Sequence, residues 1–265
     1  MGLLGPTPPA AADVPQRVVS MNLCTDQLAM LVAAPGQLIS VSHLASDPLA
    51  SSMVQQAQAY PANRGAAEQV FLMRPDLVLA GTYTAQASVD LLRGLGVTVV
   101  QVPPVDSLSD VTAQMRLVGA AMGRAAQAEA LAAAFEADLA ALPPVPSAAT
   151  AAMYYPNGYT TGAGTLTNEV LEVTGFSNIG AGAGLTGGGI LPLERLVMAA
   201  PRMIVTSAPY PGASRSEEIL VHPALQAVRA RAGRAQVTDA DWVCGTPFVM
   251  RAIEAMVVAR AGLAE

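Results

Sequence analysis

Glu68-Gln69-Val70-Phe71-Leu72-Met73-Arg74-Pro75-Asp76-Leu77-Val78-Leu79 and Glu194-Arg195-Leu196-Val197-Met198-Ala199-Ala200-Pro201-Arg202-Met203-Ile204-Val205 are two copies of one pattern. Each has a Glu, a short apolar helical run, a Pro seven positions after the Glu, and then a strand of buried type. The copies fall on opposite sides of the midpoint, which predicts two similar lobes. They also set one acidic side chain at a matching position on each lobe, a pair suited to docking.

The segments around the first copy fit the same scheme. Arg17 to Met21 reads as a strand, and Thr25 can cap a helix that Pro35-Gly36 stops. Leu38 to Ser42 reads as a strand, Ser51 to Ala59 as a helix, Ala66 to Met73 as a helix and Asp76 to Ala80 as a strand. Ala85 to Leu95 is a helix closed by Gly96, and Val97 to Val102 is a strand ended by Pro103-Pro104. Helices alternating with short apolar strands predict an α/β fold with parallel-type sheets. Ser107 to Met122 and Arg124 to Leu142 are helical around Gly123. The second stretch is rich in Ala, the best helix former, so a long rigid helix is expected to join the lobes. Beyond it, Ala149 to Tyr155 is expected as a strand, Leu166 to Thr174, Arg215 to Leu220 and Pro223 to Arg231 as helices, Ala235 to Val237 as a strand, and Thr246 to Ala261 as a closing helix. The expected division is a tail over 1–16, a first lobe over 17–106, a helical connector over 107–142 and a second lobe over 149–265. The Gly-rich run Gly180 to Gly189 lacks the dinucleotide and P-loop spacings and reads as a flexible or close-packed loop.

Composition narrows the function. At 265 residues the chain can bury a large core, and much of its 52% hydrophobic content is Ala. No uninterrupted apolar run reaches the roughly 18 residues of a membrane span. Charged residues make up 13%, with a net charge of -6, which disfavours a nucleic-acid partner. All 14 basic residues are Arg, so Schiff-base catalysis and a phosphate-loop Lys are excluded. Two histidines, His43 and His222, are too few for a bare zinc or manganese cage. No Gly-x-Ser-x-Gly elbow is present, and the two cysteines are too few to ligate a nitrogenase-like cofactor, so no enzyme is expected. Cys24 and Cys244 are compatible with one disulfide in an exported protein or with two buried thiols. Met1 to Gln16 lacks the basic and apolar parts of a signal peptide, while Ala10-Ala11-Ala12 before Asp13 is like the end of one; a processed, exported form is expected.

Taken in order, Arg17-Val18-Val19-Ser20-Met21-Asn22, the two Glu copies, the rigid helix between them and Tyr154-Tyr155-Pro156-Asn157-Gly158-Tyr159 followed by a helix resemble the metal-chelate substrate-binding proteins of ABC importers. This helical-backbone class includes cobalamin-, siderophore- and haem-binding proteins. The resemblance implies a monomeric periplasmic carrier without a cofactor of its own, whose Glu68 and Glu194 pair with Arg on the transporter's membrane subunits. The stiff connector implies small lobe movements, and a Cys24–Cys244 bridge, a secondary expectation because both precede helices flanking the cleft, would tie the lobes. Loops after the strands nominate Asn22, Ser42, Tyr83, Tyr155, Tyr159, Tyr210 and Trp242 for the ligand cleft, because ligands sit at the carboxyl ends of parallel strands. Arg64 and Arg215 are further candidates, through bidentate contact with anionic groups. Cobalamin binders of this class carry Trp residues before each motif copy, where this chain has Ala62-Asn63 and the Gly184–Gly189 stretch. A ferric siderophore is therefore the first expectation, with cobalamin or haem, the latter ligated by Tyr83 or Tyr159, as the alternative.

Overall fold

The computed structural model describes residues 14–143, 145, 149–206, 214–235 and 237–263. The first lobe alternates strand and helix: β1 (Val18–Ser20), α1 (Leu23–Val32), β2 (Leu38–Ser42), α2 (Val54–Ala57), β3 (Ala62–Asn63), α3 (Ala67–Leu72), β4 (Leu77–Gly81), α4 (Gln86–Gly94) and β5 (Thr98–Val102). Its five strands lie in the order β3-β2-β1-β4-β5 and are all parallel. The order reverses between β1 and β4, which opens a crevice at their carboxyl ends.

Two helices follow, α5 (Leu108–Ala121) and α6 (Ala125–Ala140). Ser107 caps α5 in a reciprocal box with Asp110. The chain turns at Gly123, and α6 packs back along α5. A Cβ on Gly119 would stand 2.2 Å from the Cβ of Ala128, so the helices meet nearly backbone to backbone. On the solvent side Arg116 pairs with Glu129 at 2.7 Å and Glu136 at 3.0 Å. The connector is thus a helical hairpin. Its second arm, α6, starts where Arg124 donates to the Val32 carbonyl in the first lobe and runs on to pack against the closing helix of the second.

That second lobe holds β6 (Ala149–Met153), β7 (Tyr159–Thr161), α7 (Leu166–Val173), β8 (Phe176–Asn178), α8 (Ile179–Gly182), β9 (Gly188–Ile190), α9 (Leu193–Ala199), β10 (Met203–Val205), α10 (Pro223–Arg231), β11 (Gly233–Arg234), α11 (Asp239–Trp242) and α12 (Val249–Ala261). The sheet order is β11-β10-β6-β8, again all parallel, and β7 pairs antiparallel with β9. Three expectations change here. The strand placed at 235–237 is Gly233–Arg234 instead, beside β10. The helix over 51–59 is a single turn, α2. The Gly-rich run is a loop only over 183–187: its ends belong to α8 and β9, and Gly188 is required because a Cβ there would collide with the Tyr159 hydroxyl.

The two Glu copies share local features at matched positions. Val70 and Leu196 are buried at one matched position, and the non-Gly residues Arg74 (φ 50°) and Ala200 (φ 43°) both enter the left-handed region just before Pro. That conformation costs about 1–2 kcal/mol each. At Arg74 the cost is offset locally, since the Arg17 guanidinium donates to the Met73 carbonyl at 2.7 Å and the Arg74 carbonyl at 3.0 Å.

Side-chain alternation along the strands organises the interior. Val18, Leu77 and Leu79 of the first sheet, and Ala151, Met153, Met203 and Val205 of the second, face one common apolar layer. Val111, Met115 and Phe135 of the connector and Ile253 and Met256 of α12 fill the same layer. The intervening residues face separate outer layers: Val19 and Val78 pack with Val70 and Leu92, and Ala152 and Ile204 pack with Leu196 and Leu225. Further ties cross the molecule. The Ser52 hydroxyl donates to the Ala240 carbonyl at 2.7 Å, the Leu108 amide donates to Glu169 at 2.6 Å, and Cys24 is joined to Cys244 by a disulfide with Cα atoms 5.0 Å apart.

Two predictions follow from these contacts. Reducing the disulfide, or replacing both cysteines with Ser, is expected to lower unfolding free energy by roughly 2–5 kcal/mol, read from urea midpoints. Two free thiols in denatured, unreduced protein would remove the bridge altogether. The second concerns Asp26, which is fully buried and accepts from the Ser42 hydroxyl at 2.5 Å and the Ser42 amide at 3.0 Å. Burial raises its carboxyl from 3.8 to about 6, despite opposing hydrogen bonds from Ser20 and Ser42 and the charge of His43. A raised folded value means that the associated stability is present below about 3.8 and lost as pH rises through about 6. Asp26→Asn should therefore gain on the native chain between those values, by up to roughly 3 kcal/mol; a pH-independent difference in denaturation midpoints would contradict this.

Candidate ligand cleft

Two cavities share Val105 and Val243 and together form one cleft between the lobes. The first, about 250 Å³, lies at the carboxyl ends of β1, β4 and β5, where the first sheet reverses its order. Asn22, Thr25, Gly81, Tyr83, Pro103 and Gln114 wall it, and Cys24 of the disulfide lies in its lining. The second, about 470 Å³, is walled by Asp106, Tyr155, Tyr159, Thr161, Asp239 and Trp242.

Each wall residue is placed by local structure. Asn22 is also the N-cap of α1: its Oδ1 accepts from the amides of Cys24 at 3.0 Å and Thr25 at 3.4 Å. Gly81 keeps the opposite wall flat, since a Cβ there would meet Asn22 Nδ2 at 2.9 Å. Tyr83, at the tip of the turn after β4, is 87% exposed and free to reach a ligand. Tyr155 and Tyr159 flank a tight turn at Pro156–Gly158, their ring centroids 6.4 Å apart and tilted by 44°. Gln114 is 5% exposed; its amide N–H donates to the Pro103 carbonyl, and its Oε1 has no protein partner.

The second cavity is electrostatically linked. Burial pushes the Asp239 carboxyl above the ordinary range, and a hydrogen bond from Trp242 partly opposes this. Burial, then the Asp239 charge and then Tyr159 push the Tyr155 phenol well above its usual value, so it stays protonated and donates.

The structure brings together Asn22, Tyr83, Tyr155, Tyr159 and Trp242 of the residues nominated by sequence. Tyr210 lies outside the described residues. Ser42 lines neither cavity; it is buried, with its hydroxyl committed to Asp26. Arg64 and Arg215 are exposed and also line neither. Arg64 follows the edge strand β3, and Arg215 opens a short 3₁₀ segment capped by Ser214. Sequence reasoning missed Pro103 to Asp106, although they follow strand β5 and the strand-end rule covers them. It also missed Gln114, Thr165 and Asp239, which no local signal marks as cleft residues. Glu68 and Glu194 are both exposed in the first turns of α3 and α9.

The profile of the periplasmic binding protein family matches residues 18–238. A cobalamin-binding protein of Halobacterium salinarum is 28% identical over 216 residues, 79% of this chain and 58% of its own length. An uncharacterised ABC transporter substrate-binding lipoprotein of Bacillus subtilis is 26% identical over 205 residues, 73% of this chain and 64% of its own. The chain thus spans less than two thirds of these curated relatives. Among solved structures, a periplasmic haem-binding protein from Roseiflexus sp. RS-1 superposes with a TM-score of 0.74 at 20% identity, covering 92% of this chain and 99% of that one. A periplasmic vitamin B12 binding protein of Vibrio cholerae gives 0.67 at 18% identity, covering 94% and 97%. At such identities these structures share the fold. With both parallel sheets and both Glu copies inside the matched span, the chain belongs to the periplasmic binding protein family, whose members are solute binders and not enzymes.

Proposed function

We propose that this chain captures a metal chelate, a ferric siderophore in the first instance, outside the cytoplasm and delivers it to an ABC importer. The observation that carries the reading is the cleft itself: the carboxyl ends of strands from both sheets open onto one space walled by Tyr83, Tyr155, Tyr159 and Trp242. Aromatic rings with polar tips suit a large ligand that is apolar on its faces and polar at its rim. A corrinoid is the second reading, favoured by the name of the Halobacterium relative.

Delivery rests on the repeated motif. Each exposed Glu is followed by a nearly bare apolar side chain at the same offset, Leu72 at 79% and Met198 at 84% exposure. One carboxylate and one apolar knob on each lobe form a two-point surface for a dimeric membrane partner. Exposed ion pairs contribute little affinity singly but set encounter and register. Among the described residues no helix is long and apolar enough to cross a membrane.

The double variant Glu68→Arg/Glu194→Arg tests this. Uptake of radiolabelled chelate by cells carrying it in place of the native chain should fall about tenfold or more. The dissociation constant of the purified variant, read from Trp242 fluorescence, should stay within about twofold of native. Undiminished uptake would remove the docking role.

A further inference from the structure

We propose that the cleft selects metal chelates of zero or positive net charge and rejects anionic ones. This deepens the chelate reading and rests on it. The linings of both cavities contain two carboxylates, Asp106 and Asp239, and no Arg or His; the chain has no Lys at all.

Several of the chain's cations are engaged outside the two cavities, and Arg229, which donates to Thr206 at 3.4 Å, lines neither. Arg17 is held by carbonyls at the end of α3, and Arg116 by Glu129 and Glu136. Arg124 is held by Val32, and Arg251 lies over Phe248 at 4.4 Å. Arg64 and Arg215, which could have met an anionic group, line neither cavity. A multiply charged anion entering this cleft would lose its hydration without a counter-charge and would face two like charges, at a cost of several kcal/mol. A neutral chelate escapes that cost, and a cationic one gains.

The polar atoms point the same way. Gln114 Oε1 is a buried acceptor without a protein partner in the wall of the first cavity, and the two carboxylates accept in the second. Because the Gln114 amide N–H is already given to Pro103, this side chain asks the ligand for a donor. Amide N–H or ammonium groups at the rim of a chelate answer it; catecholate oxygens and carboxylates do not. Among ferric siderophores the cleft therefore fits hydroxamate types, and among macrocycles a corrinoid with carboxamide arms in preference to a haem with carboxylate arms.

The test uses five probes against the intact protein: ferrichrome and cyanocobalamin (neutral), ferrioxamine B (cationic), and ferric enterobactin and haem (anionic). Affinities come from quenching of the single tryptophan, Trp242, checked by equilibrium dialysis with metal detection. At least one neutral or cationic probe should bind about tenfold or more tightly than either anion. In Asp106→Asn/Asp239→Asn the ratio of ferrioxamine B to ferric enterobactin affinity should fall by about tenfold, and added salt should shrink the native ratio in the same sense. Tightest binding by an anionic probe, or a ratio untouched by the double variant, overturns the charge rule while leaving the chelate reading in place. Absence of binding by all five overturns the chelate reading and this inference with it.

Discussion

The apolar layer common to both sheets is the constraint on which the rest of the molecule depends. Met153 and Val205 of the second sheet share it with Val18 and Leu79 of the first, and Phe135 of α6 lies within it. Swinging one lobe away from the other would open that layer to water. Each large side chain so exposed costs about 1.5–3 kcal/mol, which opposes a wide hinge. The Cys24–Cys244 bridge and the Ser52–Ala240 hydrogen bond add local ties at the cleft. Ligand fitting is left to the side chains that the common core does not hold, chiefly exposed Tyr83 and Tyr159.

A stiff frame also explains how the cleft keeps its electrostatic character. Asp239 is held at the start of α11, where Trp242 donates to it, and α11 is fixed to α12, which is embedded in the common core. Its charge helps to hold the Tyr155 phenol in the protonated form. That phenol is a hydrogen-bond donor and not a ready tyrosinate ligand.

The parts of this fold legible in sequence are those whose signals are local and redundant. The Glu-x6-Pro copies, the apolar strands Leu77–Gly81 and Met203–Val205 and the Ala-rich α6 each announce themselves within a dozen residues. The β7–β9 pair does not. Its strands are three residues long, one of them mostly Gly, and they pair because Tyr159 lies over Gly188, a long-range steric fit without periodicity. The cleft was half legible for the same reason. Aromatic residues after strands are conspicuous, whereas Gln114 sits inside α5 and becomes a wall residue only when β5 ends beside it. Ser42 misled because strand-end position alone cannot distinguish a ligand contact from a bond to a buried carboxylate such as Asp26.

The repeated motif and the cleft are linked by the direction in which each helix runs against the strand that follows it. In a strand–helix–strand unit the helix returns antiparallel to the strands, so its N-terminus lies at the sheet's carboxyl edge. α3 leads into β4 and α9 into β10, which sets the N-terminal turns bearing Glu68 and Glu194 on the edge of each sheet that faces the cleft. The same duplication that yields two parallel sheets therefore delivers one carboxylate to each side of the opening. The common core keeps their separation nearly constant. On the proposed function, a membrane partner that grips both acids also covers the mouth of the cleft, so docking and release share one face and need no signal relayed through the molecule.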